Sequence, residues 1–322
     1  MRIGIDAMGG DFAPLEAVLG SCEAARRYPH LHLLLYGDKP AIDALLKEHA
    51  NDLPNIEVIH CSEVIGMSEH AVRAITSKKD SSIVRGLAGL AGGECDAFLG
   101  AGNTGAMYAA SLFTVKPIEG VQRPCLTSIL PKPEGAHGVL LDVGANADCK
   151  PEMLNQFAIL GALYSQLVYH VDAPRVGLLN IGEEEEKGNI LTLAAHAMLK
   201  ENKHISFVGN VEGRDIFGDK ADVVVCDGFT GNVVVKSSEG LFYRLMKRGV
   251  QDDYLDKFNF RHYGGTPVLG VNKPVVIGHG ISKADSFVKM VELCEEIIRT
   301  GLIEKIRSSF QEIQAAQASA ND

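Results

Sequence analysis

The 322-residue sequence predicts an α/β protein built on a doubly wound, mostly parallel sheet. Two patterns predict it. Short apolar runs alternate with amphipathic stretches from one end to the other, which is the order of repeated strand–helix units. The short runs are apolar on both faces, as strands covered by helices on both sides must be. Hydrophobic residues make up 46% of the chain, enough for a large core. No Pro- or Ser-rich joint interrupts the alternation, so a single domain over 1–322 with a small helical subdomain is expected. Residues from about 312 to 322, including AAQASAND, are expected to be disordered.

The elements follow in order. Arg2–Asp6 opens as a strand, and Pro14–Arg27 follows as a helix with arginines in its last turn. His32–Tyr36 and Ile56–His60 read as strands around the helix Ala41–His49. Ser81–Ala91 is a helix entered through a serine, Ala97–Leu99 a strand, and Thr104–Leu112 a helix. The strands Leu126–Leu130 and Val139–Asp142 lead into the long helix Glu152–Tyr169. Val176–Asn180, Ser206–Val208, Val223–Cys226 and Val275–Ile277 read as strands. The remaining helices are Ile190–Lys200, Val233–Arg248 and Ala284–Arg299.

Composition removes several classes of function. The formal net charge of −10 argues against general nucleic-acid binding, which needs clustered Lys and Arg. The seven cysteines are widely spaced and form no C-x-x-C, so a disulfide framework or zinc site is not expected. Reduced thiols point to a cytoplasmic protein. The opening MRIGIDAMGGD reads as a strand and loop rather than a signal peptide, and no run is long and apolar enough to span a membrane.

Ligands of such sheets sit at the carboxyl ends of the strands. Five strands end in loops that carry Gly with Asn or Asp. Asp6 is followed by Ala-Met-Gly-Gly-Asp with Gly9 and Gly10, and Leu99 by Gly-Ala-Gly-Asn-Thr-Gly. Asp142 is followed by Val-Gly-Ala-Asn, Asn180 by Ile-Gly-Glu-Glu, and Cys226 by Asp-Gly-Phe-Thr-Gly-Asn. One such loop is ordinary turn chemistry. Five at one edge suggest glycines that let backbone N–H groups approach an anion. Gly102, Asn103, Thr104 and Gly105 are the clearest set, suited to inorganic phosphate. The loop is neither a G-x-x-x-x-G-K-[ST] nor a G-x-G-x-x-G motif, so a nucleotide cofactor lacks its signature.

IDAMGGD, AGNTGA, LLDVGAN-x-D, LLNIGEE-x-x-KGN, GNVEGRDIF, VVVCDGFTGNVVVK and YGGTPVLGV occur in this order. Together they closely resemble the bacterial PlsX family of phosphate acyltransferases over roughly residues 1–300. The resemblance implies a Rossmann-like three-layer α/β/α sandwich and a homodimer with no metal or nucleotide cofactor. It implies transfer of a fatty acyl group from acyl-acyl carrier protein to orthophosphate, giving acyl phosphate for phospholipid synthesis. The resemblance also implies an apolar hairpin before YGG that helps form the dimer surface and touches the membrane; where that stretch is short and charged, membrane association is expected to run through a partner, the acyltransferase that consumes acyl phosphate. Two departures stand out. Gly100 replaces the serine that usually precedes AGNTGA, and GVQDDYLDKFNFRHYGG is shorter and more charged than the apolar hairpin usual there.

Phosphate is already a nucleophile, and no G-x-S-x-G elbow is present. The implied chemistry needs phosphate orientation, charge shielding and oxyanion donors. Lys187 is the expected main cation, beside Asn189, although an exposed lysine at a helix start is the ordinary alternative. Asn146 and Asn232 are expected neutral N–H donors. Asp6 either orients an amide or Lys187, or simply caps its loop.

Glu183–Glu186 could hold a divalent ion, but glutamates that complement a helix dipole are the preferred reading. His279 ranks below the amides as a proton donor, and Cys149 and Cys226 read as structural thiols rather than nucleophiles. An acidic carrier needs a basic face, with Arg244, Lys247 and Arg248 preferred over Lys78, Lys79 and Arg85. The acyl groove could involve Glu152–Tyr169 or Leu241–Met246, both also suited to the core. Rival functions are a short-chain phosphotransacylase using coenzyme A or a protein thioester, and a non-catalytic anion- or lipid-binding protein.

Overall fold

A computed structural model of the chain describes residues 1–50, 53–133, 137–259 and 262–321. Its elements begin β1 (Arg2–Asp6), α1 (Leu15–Arg27), β2 (His32–Gly37), α2 (Lys39–His49), β3 (Ile56–His60), α3 (Ala71–Ser77), α4 (Ser82–Gly92), β4 (Ala97–Gly100) and α5 (Thr104–Ala110). A π-helical turn, Ser111–Val115, extends α5. Then come β5 (Cys125–Pro131), β6 (His137–Leu141), α6 (Pro151–Val168), β7 (Arg175–Asn180), α7 (Ile190–Glu201), β8 (Ser206–Glu212) and β9 (Val223–Val225). The chain continues with α8 (Gly228–Lys247), α9 (Asp253–Asp256), β10 (Gly265–Leu269), β11 (Val275–Gly278), α10 (Ala284–Arg299) and α11 (Leu302–Asn321).

The expected α/β class with mostly parallel strands is what the chain forms. It groups into two compact units, Met1–Pro117 with Phe260–Arg299, and Ile118–Asn259 with Thr300–Asp322. The sequence reads as one domain because the chain passes between units without a recognisable linker, and each unit is assembled from distant segments.

In the first unit the strand order is β3-β2-β1-β4-β11-β10. All neighbours are parallel except β10, which runs antiparallel to β11. Ile3, Ile5, Leu33, Leu35 and Leu99 are fully buried in the sheet. Tyr36 and Phe98 meet edge to face at 5.9 Å. Glycines let the helices lie close: a Cβ at Gly86 of α4 would collide with the Phe98 ring, and one at Gly20 of α1 would lie 2.5 Å from the Phe287 Cβ of α10.

The second unit repeats the plan with the order β5-β6-β9-β7-β8. Here β5 is antiparallel to β6, and the other pairs are parallel. Leu140, Val211, Val224 and Ile216 form part of its core. At the N-terminal ends of β7 and β9, Lys132 lies 2.5 Å from Asp222 Oδ1, and Arg175 Nε lies 3.0 Å from Asp222 Oδ2. Burial would raise the Asp222 carboxyl, but hydrogen bonds from Arg175 and Lys132 outweigh it and hold the acid well below the usual range. This end is tied by charge, leaving the C-terminal ends for the glycine loops.

Four elements were not legible. Pro267 disguises β10, because proline removes a ladder donor. α3 and α9 are too short to display a helical period. α11 buries Leu302, Ile306 and Phe310 at four-residue spacing and carries helix through residues 312–321, which were expected to be disordered. In addition, α8 starts five residues before the expected Val233, because Asp227 caps it.

Two glycine substitutions separate packing from helix propensity. Gly240 on α8 has open space around it, so Gly240→Ala is expected to stabilise by about 0.5–1 kcal/mol in urea unfolding. Gly86→Ala, at an equally helical position, is expected to lose about 1–3 kcal/mol through overpacking against Phe98.

Candidate active site

In the first unit the loops after β1, β4 and β11 come together. Asp6 closes β1 with 1% of its surface exposed. Its Oδ1 accepts the Met8 N–H at 3.1 Å. Burial pushes its carboxyl up to about 6, although the Ser82 hydroxyl and the Met8 and Gly9 N–H groups favour the charged form. Glycines crowd around it. A Cβ at Gly9 would collide with Asp6 Oδ2, and one at Gly102 would lie 2.8 Å from the same atom. A Cβ at Gly100 would sit 2.6 Å from the Asp6 Cβ, so the glycine leaves room for this side chain. The Asp11 N–H donates to the Gly280 carbonyl at 2.8 Å, joining the loop that holds Gly10 to the one after β11.

Asn103 caps α5 rather than presenting its amide. Its Oδ1 accepts the Ala106 N–H at 3.0 Å. Its Nδ2 faces the carbonyls of Gly66, Met67 and Glu69 at 3.1, 3.2 and 2.9 Å. The expected anion contact from this side chain is therefore corrected: its donors are taken up in anchoring the 66–69 loop. Thr104 and Gly105 are the exposed part of the motif.

The second unit uses the same device. Asp142, fully buried just beyond β6, accepts the N–H groups of Leu126 and Ala145 on Oδ1 at 3.0 and 3.1 Å. Its Oδ2 accepts the Asn146 backbone N–H at 2.6 Å and the Asn146 Nδ2 at 2.9 Å. Burial again raises the acid. Asn146 Nδ2 also donates to the Pro124 carbonyl at 2.9 Å, so Asn146 braces the loop and is corrected as a free oxyanion donor.

The start of α8 lies against this loop. A Cβ at Gly231 would collide with the Asp142 carbonyl oxygen, and one at Gly228 would lie 2.6 Å from the Asn146 oxygen. Exposed Asn232 donates one Nδ2 hydrogen to the Val143 carbonyl at 3.1 Å, leaving its second N–H available.

Lys187 belongs to the turn between β7 and α7. Asn180, at the end of β7, donates from Nδ2 to the Lys187 carbonyl at 3.0 Å. Two of the four glutamates before it pair elsewhere, Glu183 with Lys220 and Glu185 with Lys200, both at 2.8 Å. These glutamates precede α7 rather than forming its first turn, so the dipole reading is corrected. Lys187 is exposed and, among the described residues, forms no ion pair. Asn189 caps α7, accepting the Thr192 N–H at 2.9 Å while Thr192 Oγ1 accepts the Asn189 N–H at 2.9 Å.

A cavity of about 660 Å³ opens in this unit, walled by residues of α6, β7, α7, β8 and α8 and by the loops that follow β7, β8 and β9. Its apolar side chains include Leu154, Leu179, Ile181 and Val234. The sequence did not announce it, since its walls come from segments up to about 80 residues apart. The expected acyl helix contributes Leu154, whereas Leu241 and Met246 are 60% and 41% exposed and do not belong to the core.

Other expectations divide. Burial pushes Cys149 up to about 12 and raises Cys226 well above an ordinary thiol, so both are poor nucleophiles. The His279 ring accepts the Ile281 N–H at 3.3 Å. Oxygens of Glu183, Glu212 and Asp215 lie within metal-ligand spacing, but Lys220 pairs with Glu183, and Arg214 with Glu212 and Asp215. Lys78 and Arg85 are paired with Glu69 and Asp80, both at 2.6 Å. Arg244, Lys247 and Arg248 are exposed, with Lys247 Nζ 4.6 Å from the Tyr243 ring centre.

Residues 1–305 match the family described as fatty acid synthesis protein. The chain is 43% identical over 341 residues to the phosphate acyltransferase of Pelotomaculum thermopropionicum, covering 100% of this chain and 98% of that protein. It is 38% identical over 341 residues to the phosphate acyltransferase of Listeria innocua, covering all of both. Among solved structures, a phosphotransacetylase from Streptococcus pyogenes shares the fold with a TM-score of 0.64 at 17% identity, over 94% of each chain. The EutD phosphotransacetylase of Staphylococcus aureus has a TM-score of 0.62 at 14% identity, over 92% of this chain and 93% of that one. The chain belongs to the PlsX family of phosphate acyltransferases.

The raised Asp6 acid has a sign that can be checked. Its folded pKa of about 6 exceeds the ordinary 3.8, so the folded protein takes up this proton first as pH falls. The contribution of Asp6 to stability therefore declines as pH rises through this window, by an amount of order 3 kcal/mol. Asp6→Asn is expected to be more stable relative to wild type at pH 7.5 than at pH 4.5 in urea unfolding. A constant difference would mean that Asp6 titrates normally.

Proposed function

We propose that the protein transfers a fatty acyl group from acyl-acyl carrier protein to orthophosphate, releasing acyl phosphate and the free carrier thiol. A phosphate oxygen attacks the thioester carbonyl, a C–O bond forms, and the C–S bond breaks from the tetrahedral intermediate. The leaving thiol has an ordinary pKa of about 8.5, so expulsion needs little help from a general acid. The observation that carries the reading is Lys187, an exposed cation outside the Glu183–Lys220 and Glu185–Lys200 ion pairs, on a turn pinned by Asn180. Its charge is available for phosphate. The second N–H of Asn232 supplies a neutral donor to the developing oxyanion. High thiol pKa values at Cys149 and Cys226 favour direct attack over a covalent cysteine intermediate.

The exposed start of α5, Thr104 and Gly105, supplies a further set of anion-facing backbone groups, ordered through Gly9, Gly10, Gly102 and Asp6. Arg244, Lys247 and Arg248 form the basic face for the acidic carrier. α8 buries only Gly228 and Gly231, so its later turns offer a surface for a second copy of the chain. No described helix is long and apolar enough to cross a membrane, and we place membrane delivery of acyl phosphate with a partner acyltransferase.

Purified protein given hexadecanoyl-acyl carrier protein and orthophosphate is expected to form acyl phosphate detectable by mass spectrometry. Lys187→Ala is expected to reduce kcat/KM by about 100-fold or more, with Asn232→Ala also impaired. If both variants retain full activity, these roles are wrong. Reversing charge at Arg244, Lys247 and Arg248 together should raise KM for the carrier substrate and leave KM for phosphate unchanged. An unchanged carrier KM would remove this face from docking.

A further inference from the structure

We infer that the cavity of the second unit is the subsite for the fatty acyl chain, with Val234 governing how much chain it accepts. The inference rests on the acyltransferase reading above. Its volume of about 660 Å³ falls within the roughly 300–1,000 Å³ of small-molecule sites.

Most of the polar residues around it already have partners within the protein. Asn180 uses Nδ2 on the Lys187 carbonyl and Oδ1 on the Ile181 N–H. Asn189 and Thr192 form a reciprocal cap. Asp227 accepts both the Thr230 N–H and the Thr230 hydroxyl at 2.8 Å. Glu212 is ion-paired with Arg214. A sugar or nucleotide would need these groups open for hydrogen bonding. What remains for an occupant is mainly the apolar surface of Leu154, Leu179, Ile181, Cys226 and Val234.

The apolar character continues outward. Ile181 is 78% exposed, and Phe229 and Val233, adjoining Thr230 and Val234 on α8, are 67% and 49% exposed. The cavity also adjoins the proposed chemistry. Its wall includes Gly188 and Asn189, which follow Lys187, and Thr230, two residues before Asn232. A chain whose carbonyl lies near these groups has an apolar space at hand.

The test is chain-length dependence. Val234→Phe narrows the cavity, and each methylene denied burial is worth about fourfold in binding. Relative to an octanoyl carrier thioester, kcat/KM for the hexadecanoyl thioester is expected to fall by about tenfold or more, with phosphate KM unchanged. A folded variant with an unaltered chain-length ratio would overturn the proposal. So would a changed oligomeric state without a changed ratio, which would assign this face to a second copy.

A second measurement needs only the wild-type protein. Hexadecanoic acid bearing a terminal diazirine should label peptides containing Leu154, Leu179 or Val234. Labelling confined to the first unit, or none, would overturn the cavity assignment. Absence of acyl phosphate from every thioester would defeat the catalytic reading, while photolabelling would still decide the cavity by itself.

Discussion

Two carboxylates buried at strand ends organise the functional edges of this protein. Asp6 and Asp142 are almost completely withdrawn from water, and each is raised above the ordinary acid range by that burial. Both receive N–H groups from the loop that follows the strand. Both are crowded by glycines whose missing Cβ atoms create the space they occupy. Removing a buried acceptor would leave its donors unsatisfied, at a cost of about 1–3 kcal/mol for each group. The loops are therefore held by internal demand, and their exposed groups are fixed before any ligand arrives.

The same economy explains which polar residues face outward. Asn103 and Asn146 look like ligand-binding amides but secure the loops with their side chains. Asn232 is tied through only one N–H, and Lys187 is tied through its backbone while its ammonium stays free of ion pairs among the described residues. Within each motif, some polar members brace the loop while others keep a donor or charge exposed to solvent. At the opposite end of β7 and β9, the Lys132–Asp222–Arg175 network performs the structural task with charge.

The sheet was largely legible in the sequence because buried parallel strands are continuous apolar runs, and ten of them stood out between helices. β10 was hidden by Pro267, and α11 by a polar, alanine-rich second half. The ordered motifs were sufficient to indicate the family. Glycine-loop composition singled out Asp6, Lys187 and Asn232 as candidates, but not which amides were already bonded. That depends on Gly66–Glu69 and Pro124, which lie far away in sequence from the amides they receive. The cavity was likewise illegible, since α6, β7, α7, β8, α8 and the loops between them each contribute only a few side chains. Gly100 gives the reverse lesson: the lack of a side chain there has its reason in the adjoining Asp6, which the sequence does not reveal.

The most direct test of the bracing account is calorimetric titration of inorganic phosphate into wild-type protein and the Asp142→Asn variant, with folding checked by circular dichroism. Asparagine keeps the shape but replaces one acceptor oxygen with a donor, beside N–H groups from Leu126, Ala145 and Asn146. The account predicts a folded variant whose phosphate affinity is at least about tenfold weaker, because Asn232 and the Val143 loop lose their fixed relation. Equal phosphate affinity in the two proteins would contradict it.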